Sequence, residues 1–259
     1  MNYQLEIQNL TKRFDGLIAV NDLSLSIQRQ TIAGVIGPNG AGKTTVFNLI
    51  TGFSSAESGS IRLEGSNLSG FSPHKIARAG IARTFQNIRL FPWMTVLENV
   101  IVACQIKCHG SFFQACMRTP FIRHEEKITR EKAKRLLRQF GLQEKLNYQA
   151  KNLSYGEQRK LEIARALATE PKILLLDEPT AGMNPAESND CVELIFNLNE
   201  TLGITILLIE HNMNVVMGIS DKIFVLDHGL KIAEGSPDEI QNNSEVIKAY
   251  LGEHYVNHA

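Results

Sequence analysis

The chain is expected to be an α/β protein: a mostly parallel sheet, an N-terminal antiparallel β portion, and a helical portion inserted between them. Three observations carry this reading. Apolar strand-length runs such as KILLLD and ITILLIEH alternate with helical patterns, which is the signature of parallel strands joined by helical crossovers. The run TIAGVIG ends in a glycine-rich loop that opens a helix. The stretch from about 88 to 168 holds few strand signals and several helical ones. Taken in order, YQLEIQNLTKRF and AVNDLSLSI alternate with period two and read as antiparallel strands. TIAGVIG is β-branched and apolar throughout, as a buried strand should be. TTVFNLITG has helical spacing and stops at Gly52. SGSIRLEG and GIARTFQ read as short strands. EEKITREKAKRLLRQFGL reads as a helix with Leu136, Leu137 and Phe140 on its apolar stripe and Gly141 as its stop. The strand PKILLLDEP, a helix through CVELIFNLNETLG, the strand ITILLIEH and a hairpin, KIFVLDHGLKIAEG, complete the core. The whole of 1–259 is read as one domain, with core and β portion at 1–87 and 169–259 and the helical lobe at about 88–168.

Bulk properties narrow the function. The 259 residues carry 27 Lys+Arg and 27 Asp+Glu, a formal net charge of zero, so the basic excess typical of a nucleic-acid binder is missing and no nucleic-acid partner is expected. The local cluster Arg130, Lys132, Lys134, Arg135 and Arg138 reads as the solvated face of an amphipathic helix. The N-terminus has no apolar signal core, and no apolar run approaches the roughly 18 to 20 residues of a membrane span. A soluble chain is expected, with any membrane role exerted through a partner. Cys104, Cys108, Cys116 and Cys191 are too few and too irregular for a disulfide framework, and the first three with His109 match no standard zinc spacing.

GPNGAGKT, residues 37–44, matches the phosphate-binding P-loop in full and marks the core as that of a P-loop NTPase. Glycines at 40 and 42 free the backbone to turn successive N–H groups inward on an anion, and the helix that follows aims its positive end at the same point. We place the nucleotide at Asn39, Gly40, Ala41, Gly42, Lys43, Thr44 and Thr45. Lys43 reaches the β- and γ-phosphates, Thr44 offers a hydroxyl to Mg²⁺, and Thr45 lies near the α-phosphate. Asp177 ends the strand ILLLD and is expected to hold Mg²⁺. Glu178 follows as general base or water-positioning carboxylate. Gln86 and His211 stand at or just past the carboxyl ends of predicted strands, where open parallel sheets place their ligands. Gln86 suits a metal or the attacking water, and His211 a γ-phosphate oxygen.

A second glycine-marked helix start, LSYGEQRKLEIARAL, begins at Leu153. Ser154 and Glu157 are spaced as a capping box. Gly156 in the first turn costs roughly 1 kcal/mol relative to alanine, and its missing side chain leaves room for another surface near the helix N–H groups. The motifs GPNGAGKTT, TFQN, LSYGEQ, ILLLDEPTAGMNP and LLIEH, in this order, resemble those of ABC transporter ATPases, whose core is RecA-like. The resemblance spans essentially the whole chain. It implies that two such domains sandwich two ATP molecules, each between one chain's P-loop and the other's signature helix, so that Ser154 and Gly156 serve the partner's nucleotide. It also implies that Phe14 stacks on adenine and that residues 182–185 cross the dimer interface. The family commonly has LSGGQ; Tyr155 and Glu157 depart from it and receive no role.

The long lobe with KCHGSFFQACMRTPFIRHEE, the loop AGMNP and the tail EVIKAYLGE are similar to the larger-lobed ATPase of branched-chain amino acid importers. That resemblance implies an ATPase dimer, with a copy of itself or a related ATPase, two transmembrane permease subunits and an external solute-binding protein. It places the chain peripherally on the cytoplasmic face of the inner membrane. The ATPase of a lipopolysaccharide exporter is also similar, through LSxGE, EIARAL and YLGE, but with a shorter lobe lacking the 104–124 insertion. A soluble, non-transport ABC ATPase would carry a second domain or a long coiled coil, and neither is seen. Within IRLFPWMTVLENV, Phe91 and Trp93 are expected to line part of a groove for a partner's helix.

Overall fold

The structure is a computed structural model describing residues 3–107 and 120–251. Cys108, His109 and Cys116 lie outside the described residues. Among the described residues, no group of three or more His, Cys, Asp or Glu is placed to hold a metal ion.

In chain order the elements are β1 (Tyr3–Phe14), β2 (Leu17–Gln28), β3 (Ile32–Ile36), α1 (Lys43–Ile50), β4 (Ser58–Leu63), β5 (Ser66–Asn67), α2 (Pro73–Ala79) and β6 (Ile81–Arg83). A helical stretch follows: α3 (Val96–Cys104), α4 (Pro120–Gln139) and α5 (Tyr155–Leu167). The chain then returns through β7 (Ile173–Asp177), α6 (Pro185–Leu202), β8 (Thr205–Ile209), α7 (Met213–Ile219), β9 (Lys222–Asp227), β10 (Leu230–Gly235), α8 (Pro237–Gln241) and α9 (Ser244–Leu251). The strands form two sheets. One has the order β2-β1-β4-β5 and is antiparallel; the other runs β10-β9-β3-β8-β7-β6, parallel except for the β9–β10 hairpin.

The central strands are buried on both faces, and their period of two divides the core. Leu174, Leu176, Ile206 and Leu208 face a cluster shared with Val96, Leu137, Leu161 and Ile195 of the helices. Leu175, Leu207, Phe224 and Leu226 face the other way, against Leu5, Ile7, Leu25 and Phe47. This is why these strands read as continuous apolar runs rather than as alternating ones. α4 begins at Pro120, outside the expected segment, and α6 begins at Pro185, where Asn184 and Glu187 form a capping box. Gly141 and Gly203 terminate helices in the left-handed region, with φ of 70° and 61°. The short helices α2, α7 and α8 have no counterpart in the sequence reading, since one or two turns give too few repeats to establish a period. Cys191 is buried, which pushes its thiol up to about 12 and keeps it protonated.

Candidate active site

The P-loop runs from the end of β3 into α1. Two of its glycines are required by space: a Cβ at Gly37 would sit 2.0 Å from the Leu226 carbonyl oxygen, and one at Gly42 would sit 2.3 Å from that of Ala19. Gly42 also has φ of 100° and stands as the N-cap of α1, with no side-chain cap and no acidic residue in the first turn. The first N–H groups of α1 therefore receive no side-chain cap from the chain itself. Lys43 is buried and donates from Nζ to the carbonyl oxygens of Gly37 (2.7 Å) and Pro38 (3.0 Å). Burial lowers its pKa, opposed by the nearby Glu178 and Asp177 carboxylates. The loop borders a cavity of about 670 Å³ lined by Phe14, Asn39, Gly40, Ala41, Gly42, Lys43, Thr44, Thr45, Glu178 and His211 among others. Phe14 is 46% exposed there, with Lys12 Nζ 4.9 Å from its ring centroid.

Three of the residues expected to be catalytic meet on one carboxylate. Gln86 Nε2 donates to Glu178 Oε2 at 2.8 Å, and His211 Nε2 lies 2.7 Å from Glu178 Oε1. A carboxylate oxygen only accepts, so the His211 proton in this contact sits on Nε2. Glu178 has a φ of 48°, unusual for a residue with a side chain, and its N–H donates to the Ile209 carbonyl at 2.9 Å. Asn9, Asp15, Asp22, Gln30, Glu64, Glu170 and His228 share this left-handed backbone.

Asp177 is buried at the end of β7, and its Oδ2 accepts from Arg83 Nη2 at 2.7 Å. Arg83 also donates from Nη1 to Asn48 Oδ1 (2.8 Å) and Thr51 Oγ1 (3.3 Å), and its guanidinium lies over the rings of Phe47 and Phe85. Sequence reasoning missed Arg83; a single arginine closing a short apolar strand was its only signal. Glu210 was missed as well. It is buried and accepts from Thr180 N (2.8 Å), Thr180 Oγ1 (2.6 Å) and its neighbour His211 N (3.1 Å), tying the loop after β7 to the end of β8. Of the oxygen donors expected to hold Mg²⁺, Thr44 lines the P-loop cavity, whereas Asp177 pairs with Arg83 and Gln86 with Glu178, and neither lines it; the Gln86 amide oxygen is not the atom engaged by Glu178. Such a set suits a hard divalent cation.

Ser154 and Gly156 stand apart; neither lines the P-loop cavity. Ser154 Oγ accepts from Glu157 N at 3.4 Å, and Glu157 Oε2 accepts from Ser154 N at 3.1 Å. Gly156 is buried, and a Cβ there would meet Glu187 Oε1 at 3.4 Å. The room expected beside this glycine is thus bordered by a carboxylate of the same chain.

A P-loop at a parallel strand's end, an acidic pair at the end of β7 with β8 lying between the two strands, and a glutamine and histidine converging on the second acid define a P-loop ATPase. Residues 20–181 match the family model described as ABC transporter, and the chain belongs to that family as one of its ATP-binding, ATP-hydrolysing members. Residues 231–256 match the model described as branched-chain amino acid ATP-binding cassette transporter. The high-affinity branched-chain amino acid transport ATP-binding protein BraF of Pseudomonas aeruginosa is 49% identical over 249 residues, covering 96% of this chain and 98% of its own. LivG of Escherichia coli, described in the same words, gives the same figures. The lipopolysaccharide export ATP-binding protein LptB of Haemophilus influenzae is 34% identical, covering 97% and 98%. Among solved structures, the ADP conformation of the ATP-binding cassette MJ1267 superposes with a TM-score of 0.83 at 33% identity, covering 98% of this chain and all of its own. The dimeric bacterial cassette MJ0796 superposes at 0.76 and 25% identity, covering 90% and 98%.

Proposed function

We propose that this chain hydrolyses Mg²⁺-bound ATP at an interface with a second ATPase chain and so drives import of branched-chain amino acids through a membrane transporter. The observation that carries the ATPase half is the meeting of Gln86, Glu178 and His211 beside the P-loop, with Ser154 and Gly156 turned elsewhere in the same chain. One chain supplies everything for hydrolysis except groups beyond the γ-phosphate, and a signature helix from another chain supplies those. The dimeric MJ0796 cassette supports this pairing. Phe14 offers a ring to adenine, and Lys43 leaves its carbonyl partners for the phosphates. Thr44, Asp177 and Gln86 would hold Mg²⁺, which neutralises phosphate charge when bound. Arg83 fixes one Asp177 oxygen and leaves the other to face a ligand. Glu178 orients and deprotonates the attacking water, while His211 Nε2–H, which rests on Glu178 here, turns to a γ-phosphate oxygen once nucleotide is bound.

The transport half rests on full-length identity of 49% to two branched-chain amino acid relatives against 34% to the lipopolysaccharide export protein, and on the C-terminal match at 231–256. No helix among the described residues is long and apolar enough to cross a membrane. We accordingly place the chain peripherally on the cytoplasmic face of the inner membrane, bound to two permease subunits that receive solute from an external binding protein. The helical lobe at about 88–168 presents the docking surface. Trp93 is 71% and Phe91 45% exposed. Arg165 lies 5.5 Å from the Phe91 ring centroid and also lines a cavity of about 250 Å³ with Phe53, Phe85 and Ala103, which neither Phe91 nor Trp93 lines.

Replacing Glu178 by Gln in cells and following uptake of labelled leucine tests both halves. Uptake should cease, while the purified variant keeps ATP binding, loses about 10³-fold in turnover and runs as a nucleotide-dependent dimer. Full turnover would remove the role given to Glu178. Normal leucine uptake with defective lipopolysaccharide export would move the assignment to the export system.

A further inference from the structure

The segment carrying Gln86 changes allegiance within one residue. Thr84 belongs to the sheet: it is buried, its N–H donates to the Leu175 carbonyl (2.9 Å), and its Oγ1 accepts from Asp177 N (3.4 Å). The next backbone groups, at Phe85, Gln86 and Arg89, are held from α5. Arg159 donates from Nη1 to the Phe85 carbonyl (2.7 Å) and from Nη2 to the Gln86 carbonyl (2.8 Å). Glu162 Oε1 accepts from Phe85 N (3.4 Å) and Arg89 N (3.0 Å). Arg159 and Glu162 pair at 2.9 Å with side chains 0% and 2% exposed. A planar guanidinium spans two adjacent carbonyls and a carboxylate from two nitrogens held in a fixed fork, whereas an ammonium must serve every partner from a single nitrogen. In so dry a setting, losing either partner strands a charge.

The same helix begins with Ser154 and Gly156. One turn before Arg159, the Tyr155 hydroxyl accepts from Arg159 Nη2 at 3.2 Å. A Cβ on Gly182 would lie 3.5 Å from the Tyr155 ring. Tyr155, which departs from the common LSGGQ pattern, therefore links the clamp to the loop expected to cross the dimer interface.

We propose that Arg159 is a positioning residue for hydrolysis: it binds the Gln86 backbone to α5, so that Gln86 and the signature end that the chain presents to a partner move as one body against the sheet that carries the P-loop. This rests on the role proposed for Gln86. The chain's hinge between sheet and lobe then falls at the Thr84–Phe85 peptide, and a change in Gln86 on one nucleotide is transmitted to Ser154 at the other.

The test is Arg159→Lys in the full-length chain, which keeps a charge for Glu162 but loses the double grip. Turnover should fall about tenfold with KM for ATP changed less than twofold. On a Gln86→Ala background the same substitution should cost nothing further, because residues acting through one another are not additive. Hydrogen exchange at the Phe85 and Arg89 amides should quicken about tenfold. If Arg159→Lys does not fold, Arg159→Met combined with Glu162→Leu removes the clamp without stranding a charge, and the same readouts apply. Losses that multiply in the Gln86→Ala background would overturn the positioning role. Unchanged amide exchange would overturn the clamp. A Gln86→Ala chain with normal turnover would instead overturn the role of Gln86, and with it the catalytic consequence, while the exchange result still judged the clamp.

Discussion

Two helices in this molecule start at a glycine-marked turn, and the chain treats them in opposite ways. At α1 the N-terminus has no side-chain cap and no acidic residue in the first turn, and it opens on a cavity of about 670 Å³. At α5 the N-terminus is self-satisfied: Ser154 and Glu157 cap it reciprocally, Lys145 holds Glu157 at 2.5 Å, and Glu187 borders Gly156. Both starts carry the same partial positive charge. The difference teaches that the first is prepared to receive an anion within one chain, whereas the second is stable without one.

Removing the cation of the first site should separate the two most sharply. Lys43→Ala should weaken ATP binding by the isolated chain about 100-fold, roughly 2.8 kcal/mol, as read by calorimetric titration. Unchanged affinity would mean that the α1 backbone alone holds the phosphates. The mirror experiment is Ser154→Ala. It should leave ATP affinity of the isolated chain unaltered and slow turnover of the paired form about tenfold, with the fold losing about 1 kcal/mol as a cap is lost. A comparable fall in ATP affinity would place α5 in its own chain's nucleotide site and erase the contrast.

The smallest effect sharpens the picture of self-satisfaction. Lys145 holds the Glu157 carboxyl below its ordinary value of 4.5. A folded value lowered in this way contributes stability that is present above about 4.5 and lost as pH falls through the lower folded value. Lys145→Met should therefore flatten the acid limb of the melting-temperature curve below about pH 4.5 and change stability by no more than about 1 kcal/mol above it.

What was legible in the sequence was what repeats locally or sits beside its partner. The apolar runs of β3, β7 and β8, the P-loop, the Asp177–Glu178 pair and the Ser154 capping box all announce themselves within a few residues. Arg83 with Asp177, Arg159 with Gln86 and Glu210 with Thr180 do not. Each joins residues brought together only by sheet order or by the seating of α5, and a pattern of spacing carries no record of such meetings. Gly156 shows the same limit in reverse: its missing side chain was plain, but the Glu187 carboxylate beside it depends on how α6 is placed.

The left-handed backbone at Glu178 has one more consequence. Glycine adopts that geometry without strain, at a saving of about 1 kcal/mol or more. Replacing Glu178 by Gly would relieve that strain and remove the carboxylate to which Gln86 and His211 bind. Gln30, Glu64 and Glu170 share this geometry away from the P-loop cavity, so what singles out Glu178 is the pair of partners on its carboxylate and not the backbone alone.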